Sequence, residues 1–167
     1  MRNLVVLALM VAMMAWALAA EPSGCDKFKW PIERERAALT APTRTALVSG
    51  ATVTTPLSVA ATLTLRPIAD AGLPSPSERA AAEGTFAGYL NVETPRAAGT
   101  YSISISNGAW IDVVQEGRYL KPKAFSGATD CVGIRKTMKF DLAASPFVVQ
   151  VSGMKESTIS LAILPAE

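Results

Sequence analysis

The chain has 167 residues, no histidine, two cysteines and a formal net charge of +2. The missing imidazole excludes the Ser-His-Asp mechanism, the two-His-one-carboxylate iron site, the ordinary catalytic zinc sites and the usual general base near neutral pH. Near-neutral charge without a basic run leaves no electrostatic footprint for nucleic acid, so no nucleic-acid partner is expected.

Residues 1–20 read as a signal peptide. Arg2 supplies the positive n-region, and Leu4 to Leu18 is an apolar core too short for a comfortable membrane span. Ala17-Leu18-Ala19 puts small residues where signal peptidase reads, which predicts cleavage after Ala19 or Ala20. Losing Arg2 takes the net charge from +2 to +1. No second long apolar segment follows, so no membrane span is expected after cleavage. Ser23-Gly24-Cys25 matches the end of a lipoprotein box, but Pro22 stands where an aliphatic residue belongs, and lipidation would leave Cys131 alone.

Two cysteines in an exported chain allow one bridge, Cys25–Cys131. It would staple the N-terminal arm to the later part of the sheet. Closing a loop on the order of 100 residues contributes about 4 to 5 kcal/mol in the chain-entropy model. The spacing is not Cys-x-x-Cys, which speaks against a redox pair.

The mature chain divides into an N-terminal arm with a short helix, 21–46, and a β domain, 47–167. Pro31 suits a first helical turn, Glu33 and Glu35 sit near its positive end, and Ile32 and Leu39 share one face, so a helix is expected over about Pro31 to Leu39. Phe28 and Trp30 are expected to plug the sheet end beside the bridge. Leu57, Val59, Ala61, Leu63 and Leu65 alternate with polar or small residues, a strand with one wetted face. Ser75-Pro76-Ser77-Glu78 has the Ser-x-x-Glu spacing of a capping box, predicting a turn or short helix that closes at Gly84.

Thr85 to Val92 reads as a strand with Phe86, Leu90 and Val92 on one face and Tyr89 on the other. Tyr101, Ile103 and Ile105 alternate with Ser102, Ser104 and Ser106, and Asn107-Gly108 follows before the apolar run Ala109 to Val114. Asn-Gly between two such runs predicts a hairpin. Tyr119-Leu120 is a short strand, and Phe125 to Gly133 a loop carrying Cys131. Ile134, Met138, Phe140 and Leu142 form an apolar face that Lys136 interrupts, as at a rim or bulge. Phe147, Val149 and Val151, then Ile159, Leu161 and Ile163, give the last strands. About seven to nine short strands with regular turn signals predict an all-β fold, an antiparallel β-sandwich of jelly-roll type with a short N-terminal helix.

Carboxylate chemistry is what remains. Asp112, Glu116, Asp130 and Asp141 lie in or beside the sheet, but no spacing marks a glycosidase pair. No calcium loop or phosphate loop is present, so no metal or cofactor is expected and no residue takes a catalytic role. Asp112 stands alone in an apolar strand and needs a partner, which Arg118 or Arg135 would supply. Trp110 shares its face, and an aromatic beside a carboxylate suits a sugar or an amphipathic ligand. Trp110, Asp112, Tyr89, Arg118 and Arg135 are the candidate ligand-binding residues.

Cys25-Asp26-Lys27-Phe28-Lys29-Trp30-Pro31-Ile32-Glu33-Arg34-Glu35, Ala109-Trp110-Ile111-Asp112-Val113-Val114, Phe125-Ser126-Gly127-Ala128-Thr129-Asp130-Cys131 and Lys139-Phe140-Asp141-Leu142 resemble segments of a group of short exported proteins of Gram-negative bacteria. Some members of that group carry the label homogentisate dioxygenase. That enzyme's iron is held by histidines, and this chain has none to match them. The last half also looks like the β-sandwich modules appended to secreted peptidases and glycosidases, which bind and do not catalyse. The signal-peptide reading, the missing histidine and this likeness together lead to the expectation of a periplasmic or secreted, non-enzymatic module for a small ligand, a carbohydrate or an envelope protein. The alternative is an enzyme, a dioxygenase as that label implies or a carboxylate-based hydrolase.

Overall fold

The computed structural model describes residues 20–54, 58–93 and 97–167. The expected signal peptide, and Leu57 of the expected strand, lie outside the described residues. A single 3-10 turn, Cys25–Lys27, precedes the helix α1, Glu33–Thr40. Twelve strands follow: β1 Thr45–Val48, β2 Thr52–Val53, β3 Val59–Thr64, β4 Arg66–Pro67, β5 Phe86–Val92, β6 Gly99–Ile105, β7 Trp110–Gln115, β8 Arg118–Tyr119, β9 Ala124–Gly127, β10 Lys136–Leu142, β11 Phe147–Met154 and β12 Thr158–Pro165. No described helix is long and apolar enough to cross a membrane.

The strands form two mixed sheets. Sheet I runs β1-β3-β12-β6-β10-β9, and sheet II runs β2-β5-β11-β7-β8, with β4 also on β5. The expected purely antiparallel order is corrected at two places, since β1 pairs with β3 and β2 pairs with β5 in parallel. The cause is the path of the chain. Between β1 and β3 it crosses to sheet II for β2, so β1 and β3 are joined by a crossover and not by a hairpin, the kind of connection that parallel neighbours need.

The expected hairpin at Asn107-Gly108 is also corrected. β6 lies between β12 and β10 in sheet I, while β7 lies between β11 and β8 in sheet II. A two-residue I′ turn needs positive φ at both central residues, and neither Asn107 nor Gly108 has it. The chain passes from one sheet to the other there. The tight hairpin is β7–β8, where Glu116 (φ 53°) and Gly117 (φ 74°) take up that conformation between the paired Gln115 and Arg118.

The inner faces hold one core. Val59, Ala61 and Leu63 of β3, Tyr101, Ile103 and Ile105 of β6, Phe140 of β10 and Ile159, Leu161 and Ile163 of β12 meet Leu90 and Val92 of β5, Ile111 and Val113 of β7 and Phe147, Val149 and Val151 of β11. The period-two alternation of the sequence put these side chains on one face of each strand.

The outer face of sheet I is not wetted along its middle. Ala60, Ala162, Ser104, Thr137 and Ser126 lie side by side across five strands. Such small residues leave room for a helix to lie close, and α1 packs there on β12, β6 and β3. The helix begins at Glu33 and not at the expected Pro31, so that Ile32 is its N-cap; Ile32 and Leu39 are nevertheless both buried and join Cys131, Ile134 and Ala162 in a second apolar cluster. Phe28 and Trp30 of the arm pack against this cluster. The Cys25–Cys131 disulfide closes it.

The outer face of sheet II is covered by residues 71–84, a strap without regular secondary structure. Of the expected turn or short helix, the turn is present at Glu83-Gly84 and the helix does not form, because the donors of the capping-box segment bind elsewhere. The Ser77 hydroxyl (2.9 Å) and the Glu78 N–H (3.2 Å) both donate to Asp112 Oδ2. The side-chain amide of Gln150 pairs with both backbone groups of Ser75, at 3.0 and 3.1 Å. The Tyr119 hydroxyl donates to the Pro76 carbonyl.

Candidate functional site

The arm, the strap and one end of the sheets meet around an open cavity of about 420 Å³. Its charged lining residues are Arg79, Arg135, Lys136 and Glu21, and Trp110 and Phe125 add aromatic walls. Three cations therefore face one carboxylate. They come from three features: Arg79 from the strap, Arg135 and Lys136 from the entry to β10, and Glu21 from the arm.

Lys136 is half-buried, and its Nζ donates to the Ala109 carbonyl at 2.7 Å. The ammonium also lies 5.8 Å from the centre of the Phe125 ring. Burial pushes its pKa below the ordinary lysine value of 10.5, and the neighbouring Arg135 and Arg79 push it further the same way. The Arg135 Nη2 donates to Glu21 Oε2 at 2.5 Å. The Arg79 guanidinium lies 5.8 Å from the Trp110 ring. Among the described residues, Arg79 and Lys136 form no ion pair.

Trp110 is aimed by the residue behind it. Its Nε1–H donates to Asp112 Oδ1 at 2.7 Å. Asp112 is 3% exposed and is held by neutral donors, namely Trp110, Ser77 and the Glu78 N–H. The expected partnership with Arg118 or Arg135 is corrected. Arg135 pairs with Glu21, and Arg118 is exposed on β8. Three donors satisfy a carboxylate without a counter-charge, as in a helix cap. Because the Ser77 hydrogen points to Asp112, the Ser152 hydroxyl donates to Ser77, at 3.0 Å. The network thus ties β7, β11 and the strap together behind the cavity wall.

Of the sequence candidates, Trp110 and Arg135 line the cavity. Asp112 stands behind it as a positioning residue. Tyr89 lies apart on β5, against Gly50, and Arg118 is at the β7–β8 hairpin. The four strand-associated carboxylates are kept apart: Glu116 accepts from Ser145, Asp130 from Ser23, and Asp141 from Thr100 and Lys123. Among the described residues no three Asp, Glu or Cys side chains gather as a metal site requires. Glu21, Arg79, Phe125 and Lys136 were not among the candidates. Lys136 alone left a trace, as the charge that breaks the apolar face of its strand.

Comparison with known proteins finds no matching family, no similar curated protein and no similar solved structure.

Proposed function

We propose that the protein is an exported, periplasmic β-sandwich that binds a small organic anion in this cavity. One observation carries the reading: Arg79, Arg135 and Lys136 line a single cleft whose one carboxylate is Glu21. Gathering cations is unfavourable unless an anion completes the cluster, so the excess charge is best understood as half of a recognition pair. The body of the ligand would lie on Trp110 or Phe125, which suits the ring of an acidic sugar or an aromatic acid. The disulfide accords with an oxidising compartment. Two mixed sheets over one core accord with a binding module of sandwich type.

Isothermal titration with sodium glucuronate, sodium benzoate and inorganic phosphate tests the reading. Binding of at least one organic acid is expected. Arg135→Ala and Lys136→Met should each weaken it about tenfold or more, the usual worth of a hydrogen bond to a charged group. Failure of all three probes to bind at millimolar concentration would overturn the proposal.

A further inference from the structure

We infer that Glu21 occupies the ligand's own place on Arg135, so that the ligand is a carboxylate and the N-terminal arm regulates its access. This rests on the anion-binding reading above. The Glu21 carboxylate is bonded to Arg135, 2.5 Å from Nη2, yet its side chain is 67% exposed. The arm is held in register just beyond it. The Thr129 N–H donates to the Pro22 carbonyl and the Gly24 N–H to the Thr129 carbonyl, both at 2.8 Å. The Ser23 hydroxyl donates to Asp130 at 2.7 Å, and Cys25 is bonded to Cys131 in the same loop. That loop leads directly into Arg135 and Lys136.

The disulfide and the short bridge to Thr129 therefore hold one carboxylate at the mouth of the cavity. Glu21 satisfies Arg135 alone. A free carboxylate entering the cleft can take over Arg135 and also meet Arg79 and Lys136, which Glu21 leaves without an ion pair. Because Glu21 is mostly in water, releasing it costs little beyond the pair itself. The arm then acts as an internal competitor that sets the affinity, by reducing the fraction of open sites.

The test compares the wild-type protein with Glu21→Gln, using benzoate, glucuronate and phosphate as probes. The exposed position makes the exchange harmless to folding, which thermal unfolding verifies. At least one carboxylate probe should bind Glu21→Gln about fivefold more tightly than wild type, the size of a part-exposed ion pair. Phosphate should remain the weaker ligand of both proteins. Carboxylates that bind both proteins equally would overturn the role of Glu21 and leave the anion-binding cavity standing. Phosphate binding more tightly than either acid would overturn the carboxylate class. Absence of binding to either protein would overturn both the inference and the reading beneath it.

Discussion

Sheet I turns a row of small residues, Ala60, Ala162, Ser104, Thr137 and Ser126, toward α1 and the N-terminal arm, whereas sheet II turns Asp112, Gln150 and Ser152 toward the strap. The first cover is attached by apolar burial and a covalent bond, with hydrogen bonds from the arm to the loop around Thr129 beside them. The second is attached by hydrogen bonds from side chains to backbone. Apolar burial is non-directional and scales with area, so a helix with two buried anchors suffices for sheet I. The strap offers little apolar area and is placed by geometry, donor by acceptor. The cavity lies where the two covers meet, one fixed firmly and one held by a few directional bonds.

The largest expected effect is on the first cover. Replacing both Cys25 and Cys131 by Ser should lower stability by about 4 to 5 kcal/mol in the chain-entropy model, read from urea unfolding. A small change would mean that the arm's hydrogen bonds hold it unaided. Leu39→Ala removes one of the two helix anchors, a side chain 2% exposed, and should cost about 3 kcal/mol in the same measurement.

Asp112→Ala addresses the second cover. It strands the donors of Ser77, Glu78 and Trp110, for a loss of about 2 kcal/mol. Much of that loss should be local. Hydrogen exchange and proteolysis within residues 71–84 should rise more than the global unfolding midpoint falls. An equal change everywhere would erase the contrast between the covers.

Smaller still is the effect at the two turns that flank β7. Gly117→Ala, at φ 74°, should cost about 1 kcal/mol. Gly108→Ala should be nearly neutral in the same unfolding measurement, since Gly108 lacks positive φ and a Cβ there meets nothing.

The slightest effect concerns pH at the junction of the covers. The folded pKa of Lys136 lies below 10.5, its unfolded value near it. Between the two, the unfolded chain binds more protons, so this residue makes stability rise with pH. Anion binding should fall across the same window as the ammonium loses its charge. Wild type and Lys136→Met, compared by thermal unfolding, should differ in slope there, and matching slopes would remove Lys136 from the cavity's electrostatics.

The strands were legible because each alternates with a period of two, as in Ile159, Leu161 and Ile163 or Tyr101, Ile103 and Ile105. The helix was legible from Ile32 and Leu39. Asn107-Gly108 misled because a turn dipeptide reports what the backbone is able to do there, and not which sheet the next strand joins. Asp112 announced itself as a charge in an apolar strand, but its partners Ser77 and Glu78 lie 35 and 34 positions away. The capping-box pattern around them pointed to a local use that a distant acceptor overrode.

The sequence alone determined the β-rich character, the site of the short helix and the only cysteine pairing possible, because these follow from spacing along the chain and from counting. The tertiary structure decided sheet membership, the covering of both outer faces and the convergence of Arg79, Arg135 and Lys136 with Glu21. Those depend on contacts between residues far apart in the chain, and no local pattern encodes which distant surfaces come to share one space.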